Sequence, residues 1–450
     1  MQEKSNTFRQ QRNLKFKINV GIALVGKVIA TIISLVRVPI LINYLNPEGY
    51  GLFITITSVA NWIQLGQLGM GSGLINALIK CDAEDDKASA QKYVNSLWLG
   101  LAIALLILSL FLFGSFPFTP WNKLFPIDDA QLAIQVPQTV AFTLITVLFG
   151  IFMTPLGSIY NAYQEQYKLN LWSNLQGIVG LGAVVLATQL QSNMADISLA
   201  IGLATLLVNG ANYFCLIKWD KPYLKFDVKT LSVSAFKGVW SSSISFFLIE
   251  VSALLVFQTD RFLILQFSNS VEVTKYTLAS TVYLTFHGIY FLFLKPLWPA
   301  FGEAIHRGDI VWTRRVFNKV NLLSSIGMML LIAVVLMAGP YLIELWTGRS
   351  DVEPDKLLLA ILGFYFLIRV FTDVHSIVIF SLNKQKELLL ATVSHGFLNL
   401  VLGIVLGREY GVHGIALASL LSFALSSGWW IPYKTRYFLR KLGEPSNQNH

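Results

Sequence analysis

Leu97 to Phe116 is twenty residues without a single charge, and Leu322 to Gly339 is eighteen. An α-helix needs about 20 apolar residues to cross the ~30 Å hydrocarbon core of a bilayer, because each residue advances the axis by only ~1.5 Å. Similar runs recur along the whole chain, separated by short polar loops. Barrel strands alternate in polarity and are only about ten residues long, so these runs predict helices. Charged residues make up 13% of the sequence, against roughly a quarter in soluble domains. That is too few to cover a water-facing surface of this size, so the solvent implied is lipid.

The predicted class is all-α and integral to the membrane, with twelve transmembrane helices. They are placed at about 18–45, 50–79, 93–116, 134–160, 169–190, 197–217, 238–267, 276–301, 317–346, 357–382, 389–406 and 414–433. The separations are least marked at Asn161–Lys168 and Gly407–His413. The net charge of +9 does not point to nucleic acid, because the basic residues lie in short loops between apolar segments. They act there as topology signals. Twenty-four Lys and Arg fall on the side of the two tails, and five on the other: Lys123, Lys275, Arg349, Lys356 and Arg408. The positive-inside rule therefore puts both termini in the cytoplasm. Residues 1–17 are polar and basic and run into an apolar segment with no small-residue cleavage site, so the first helix is expected to be an uncleaved signal-anchor. Cys81 and Cys215 fall near cytoplasmic helix ends, where no disulfide is expected.

The longest cytoplasmic loop, Lys218 to Lys237, divides the chain into two halves of six helices. The expected organisation is a tail (1–17), an N-terminal lobe (18–217), a linker (218–237), a C-terminal lobe (238–433) and a second tail (434–450). A shift of 224 residues pairs Arg37 with Arg261, Ile40 with Ile264, Leu41 with Leu265 and Glu48 with Glu272. Six helices return the chain to the side it started from, so such repeats would be parallel.

Several activities are disfavoured. There is no GxxxxGK[ST] loop, no HExxH pair, and Gly69, Gly71 and Gly73 have the wrong spacing for a dinucleotide fingerprint. Gly69 and Gly73 suit helix packing instead. No cofactor, metal or catalytic residue is expected, and the outer loops are short for an enzyme of polysaccharide assembly.

Ionisable residues inside apolar helices carry the functional information. Each costs roughly 2.5–3.5 kcal/mol at a helix centre, so they generally face a bundle interior or a wet cavity. They are Lys27 and Arg37 in the first helix, Glu250, Asp260 and Arg261 in the seventh, Lys295 in the eighth, and Arg369 and Asp373 in the tenth. Lys27, Thr31 and Ser34 form a polar stripe at i, i+4, i+7. Ser243, Glu250 and Arg261 fall within about 20° on a helical wheel. Arg369 and Asp373 stand at i, i+4, the spacing of an ion pair. Asp260 suits either a solvated place near the outer interface or a role in ion coupling. Lys295, beside Pro296 and Trp298, suits either a snorkelling or a cavity lysine. Cations outnumber acids in this set, and a cationic wet cavity suits an anion, with Arg best matched to phosphate.

The chain resembles the polysaccharide-exporter branch of the multidrug/oligosaccharidyl-lipid/polysaccharide (MOP) superfamily, the O-antigen or lipopolysaccharide-repeat flippases. The resemblance rests on Arg37-Val-Pro-Ile-Leu-Ile-Asn-Tyr-Leu-Asn-Pro-Glu-Gly-Tyr-Gly-Leu-Phe53, Gln67-Leu-Gly-Met-Gly71, Gln258-Thr-Asp-Arg-Phe-Leu-Ile264 and Pro296-Leu-Trp-Pro-Ala-Phe-Gly302. It implies a MATE-like fold of two six-helix lobes enclosing a V-shaped cavity in a bacterial plasma membrane. The implied substrate is an undecaprenyl-diphosphate-linked oligosaccharide, moved from the inner to the outer leaflet. Lys27, Arg37 and Arg261 would then hold the diphosphate, Lys295 would add to the cationic lining, and Glu250 would balance them or couple an ion. Membrane lipids and the lipid-linked glycan are the implied partners, with polysaccharide polymerase or assembly proteins as candidates and no nucleic acid.

Three rivals make different demands. A MATE-type drug or cation antiporter calls for an acid in the first helix, where this chain has Lys27 and Arg37. The lipid II flippase branch carries two further C-terminal helices. A membrane enzyme needs a catalytic constellation, and none stands out.

Overall fold

The computed structural model describes residues 2–63, 70–241, 259–382 and 384–443. Most of the helix predicted over 238–267 lies outside the described residues, and so do Ser243 and Glu250. Among the described residues there is no β-strand, and nine helices are long and apolar enough to cross a membrane. The all-helical membrane expectation therefore holds.

The helices are α1 (Gln2–Asn61), α2 (Met70–Ala83), α3 (Lys87–Ser115), α4 (Ala130–Phe152), α5 (Thr154–Ala162), α6 (Gln166–Gln189), α7 (Met194–Cys215), α8 (Val233–Ser241), α9 (Ser270–Leu294), α10 (Leu297–His306), α11 (Ile310–Thr347), α12 (Lys356–Ser381), α13 (Gln385–Leu425) and α14 (Ser427–Gly443). Residues 259–267 are also helical. Two long elements contain breaks. In α1, Asn46 takes φ 60° and ψ 165° just before Pro47, at the turn predicted between the first two segments. In α13, Gly411 takes φ 56° and ψ −133°. A Cβ on Gly414 would lie 1.9 Å from the Leu406 carbonyl oxygen. Eight residues of straight helix span about 12 Å, so the chain must double back there, as Gly407–His413 predicts.

Other predicted segments are divided where proline removes a backbone donor. The 134–160 span breaks at Met153 ahead of Pro155, and the 276–301 span breaks at Lys295–Pro296. Pro137 and Pro340 stay inside α4 and α11. Six helix starts are fixed by Asp or Asn side-chain caps. Asp86, Asp129, Asn193, Asn269, Asp309 and Asp355 each accept a hydrogen bond from an amide two or three residues on. These caps satisfy amides that the first helical turn leaves without a partner.

The chain falls into two compact units. Unit 1 is Met1–Gly49 with Ile56–Glu250, and unit 2 is Tyr50–Thr55 with Val251–His450. In unit 1, α4 and α6 both pack on α7, and Thr143 and Ser198 share a buried hydroxyl bond of 2.8 Å. A core of Leu74, Leu78, Val94, Leu97, Ile159 and Tyr160 joins α2, α3 and α5. The opposite face of α3, including Leu106, Ile107, Leu110 and Phe111, is exposed, as suits a lipid-facing surface.

The segment expected as a linker, 218–237, is folded onto unit 1. Gln91 Nε2 donates to the Lys225 carbonyl (2.8 Å), Asn95 Nδ2 to Thr230 Oγ1 (2.8 Å), and the Ser232 amide to Ser96 Oγ (2.9 Å). Leu224 is fully buried. Polar residues at the start of α3 thus satisfy a backbone that the sequence alone presents as a loop.

In unit 2, α12 is the central helix, packed against α9, α10, α11, α13 and α14. Half of its apolar window is buried, against 11% for α6. Phe301, Phe317, Val374, Ile377 and Val378 form a core around it. The short piece Tyr50–Thr55 belongs here because Gly51 lies against the Ser270 backbone, where a Cβ would sit 1.8 Å from the carbonyl oxygen.

Candidate functional site

The ionisable residues singled out from sequence separate by unit. In unit 1, Lys27 and Arg37 both lie on α1 and both are exposed. Thr31 Oγ1 donates to the Lys27 carbonyl at 2.8 Å, so that part of the polar stripe is spent on the helix backbone. Pro39, two residues beyond Arg37, has no backbone N–H to donate to the preceding turn. The ionic cluster in this unit involves other residues. Lys168 Nζ lies 2.7 Å from Asp220 and 3.1 Å from Glu165, and Lys221 Nζ lies 2.8 Å from Glu165. Lys221 also sits 4.6 Å from the Tyr163 ring centroid. Burial raises the Tyr163 phenol above its ordinary range. Two cations against two acids make this cluster neutral overall. It ties the α5–α6 turn to the end of α7, which suits a structural clamp. A cavity in this unit, about 390 Å³, is lined by Trp98, Leu99, Ala102, Phe152, Tyr213 and Phe226 among others, and it is apolar.

Unit 2 puts its polar groups inside. Asp260 is 6% exposed and accepts from Tyr276 Oη (2.6 Å) and Ser419 Oγ (2.9 Å). The interfacial, solvated placement open to it from sequence is therefore corrected, because α9 and α13 enclose the carboxylate. Asn399 Nδ2 donates to the same Ser419 oxygen at 2.9 Å. Arg261, next in sequence, is half-buried. Lys295 is exposed at the break between α9 and α10.

The helical spacing of Arg369 and Asp373 predicts that they pair. The structure gives each a different partner. Asp373 Oδ2 lies 2.7 Å from His287 Nε2 on α9, and Arg369 Nη1 donates to Tyr365 Oη at 2.7 Å. A side chain reaching across from a neighbouring helix offers a direct approach to the carboxylate. Sequence reasoning passed over His287, His395, Tyr276 and Tyr365, because the histidines are far apart along the chain. The signal that finds all but His395 is a stripe: Tyr276, Tyr283, His287 and Tyr290 recur at helical spacing on α9, and Tyr365, Arg369, Thr372 and Ser376 do so on α12. Among the described residues no group of three or more His, Cys, Asp or Glu could hold a metal ion.

At the end of α11, Arg349 makes a two-pronged contact with Asp351, with Nε and Nη2 at 2.8 and 2.7 Å. The Arg349 guanidinium holds the Asp351 carboxyl below its ordinary value.

A family described as "Polysaccharide biosynthesis protein" matches residues 16–305. A protein of Salmonella typhi named an O-antigen transporter is 24% identical over 426 residues, covering 93% of this chain and 95% of that protein. One of Yersinia pseudotuberculosis named an O-antigen export protein is 24% identical, with coverage of 91% and 93%. Among solved structures, an inward-facing multidrug resistance MATE family transporter of the MOP superfamily superposes with a TM-score of 0.76 at 12% identity, over 95% of this chain and 99% of that one. The lipid II flippase MurJ in an inward closed conformation gives 0.72 at 15% identity, over 93% and 89%. At such identities the shared property is the fold.

Proposed function

The chain belongs to the polysaccharide biosynthesis protein family, and on that premise we propose that it is a flippase for a lipid-linked polysaccharide repeat unit. The observation that carries this is the likeness to O-antigen transport and export proteins along more than nine-tenths of both chains. The substrate we assign is an undecaprenyl-diphosphate-linked oligosaccharide. It is moved by alternating access from the inner to the outer leaflet of a bacterial plasma membrane, with both termini of the protein cytoplasmic.

The reading is supported by the excess of cations over acids among the intramembrane charges, since the diphosphate is the charge every such lipid carries. Lys27 and Arg37 in unit 1, and Arg261 and Lys295 in unit 2, are the side chains we assign to it. Glu250 is assigned to charge balance or ion coupling. The buried Asp260 network and the Arg369 and Asp373 contacts are assigned to the interior of unit 2, where they hold α9, α12 and α13 in register. The protein acts as a transporter rather than an enzyme.

Complementation tests this. The wild type and Arg37→Ala, Arg261→Ala and Glu250→Ala are expressed in a bacterium lacking its O-antigen flippase, in a host making a compatible glycan. Wild type should restore surface polysaccharide, and an Arg variant present at normal level should not. Export of cationic dyes without restored polysaccharide would instead establish a drug antiporter.

A further inference from the structure

A cavity of about 280 Å³ lies inside unit 2, walled by α9, α12, α13 and α14. Arg369, Asp373 and His395 bring charged or titratable groups to it, and Phe291, Phe380 and Phe423 bring aromatic faces. His395 is 4% exposed, and its Nε2 has no hydrogen-bond partner among the described residues. A buried polar nitrogen in that state is costly unless something fills the space beside it. The hydroxyls of Thr372, Ser376 and Thr392 also line the cavity. Each already donates to the carbonyl four residues back, at 2.7, 3.1 and 2.8 Å. That leaves their oxygen lone pairs as acceptors.

This inventory discriminates among occupants. A bare anion would meet the Asp373 carboxylate and three hydroxyls whose protons are committed elsewhere. A metal cation would meet Arg369. A lipid tail would leave His395 unpaired. A sugar ring has hydroxyls that both donate and accept, and its C–H faces pack on aromatic rings. The lining supplies acceptors (Asp373, Thr372, Ser376 and Thr392), a donor-bearing guanidinium, an imidazole able to do either, and three phenyl rings.

We propose that this cavity is a subsite for one pyranose residue of the carried glycan, and that it contributes to which glycan is transported. The proposal rests on the flippase function proposed above. His395 is its central contact, with Arg369 and Asp373 fixing the orientation of the ring hydroxyls.

The test uses the full-length protein in lipid nanodiscs, titrated with methyl glycosides of glucose, galactose, N-acetylglucosamine, N-acetylgalactosamine and rhamnose by saturation-transfer NMR. At least one of the five should bind, and not all equally. His395→Phe should weaken that binding about tenfold, the worth of one good hydrogen bond. His395→Gln, which keeps a donor and an acceptor, should retain most of it. If the Phe variant does not purify as a monodisperse protein, Thr392→Val takes its place with the same expectation. Absence of binding by wild type, or unchanged binding by the variant, overturns the subsite. Complementation separates this from the larger function. Wild type that restores display but is blind to all five glycosides keeps the flippase and loses the subsite. Wild type that binds a glycoside, and loses it on His395→Phe, but restores no display keeps the subsite and loses the flippase.

Discussion

Unit 1 and unit 2 share a lipid-compatible helical architecture but place their polar groups differently. In unit 1 the best-connected charges, Glu165, Lys168, Asp220 and Lys221, gather where helices end, and the cavity is apolar. In unit 2 they lie within the helices: Asp260 with Tyr276 and Ser419, Asp373 with His287, Arg369 with Tyr365. A charge at a helix end shares the interface with water and lipid headgroups. One within a helix must be answered by a partner on the protein, since lipid offers none. Among the described residues, then, unit 1 keeps its paired charges at helix ends, and unit 2 carries them in its interior.

The contrast can be broken most severely at Gly51. A Cβ there would sit 1.8 Å from the Ser270 carbonyl oxygen and 2.7 Å from its carbon, so neither backbone can yield cheaply. Gly51→Ala should cost about 3 kcal/mol, the upper range for overpacking. Hydrogen exchange should show the loss in unit 2, with α3 to α7 of unit 1 little changed. Equal loss in both units would show that they do not melt separately.

Asp260→Ala comes next. It leaves Tyr276 Oη and Ser419 Oγ without their acceptor and should cost about 2 kcal/mol, because hydrogen bonds inside a membrane are individually modest. Lys221→Met in unit 1 should cost less, about 1 kcal/mol, because Lys168 remains to balance Glu165. Thermal unfolding in matched detergent ranks the two. A larger loss for Lys221→Met would invert the comparison.

Caps sharpen it further. Asp129→Ala removes the acceptor for the Gln131 and Leu132 amides at the start of α4 and should cost about 1 kcal/mol. The smallest effect is the pH response at the end of α11 and start of α12. Asp351 is held below its ordinary value by Arg349. Burial pushes Asp355 up, but the Leu358 amide and His413 outweigh it, so it too lies low. A depressed carboxyl stabilises the fold above its unfolded value, near 4, and loses that contribution as pH falls through the lower folded value. Unfolding temperature should therefore decline below about pH 4, and Asp351→Asn should shallow that decline. An unchanged slope would remove the Arg349 contact from the account.

Much of the fold was legible in the sequence because lipid is an undemanding partner. It asks for length, apolarity and internal backbone bonding, and all three are local. The apolar runs fell on helices, and the Gly407–His413 weakness marked a reversal. The partners of the interior charges were not legible. The i, i+4 rule offered Asp373 to Arg369, yet His287, 86 residues upstream, takes the carboxylate. Ser419 reaches Asp260 across 159 residues. The 218–237 segment has the composition of a linker, but Gln91, Asn95 and Ser96 on α3 hydrogen-bond to it.

Hydropathy alone placed this chain in a membrane, located its apolar spans to within several residues, and marked which charges fall inside them. Tertiary structure alone decided which side chain answers each, and that His395 opens on a cavity. The reason is physical. Hydropathy and capping act over one or two helical turns, whereas a hydrogen bond inside lipid forms with whichever donor packing brings within about 3 Å, however distant in the chain.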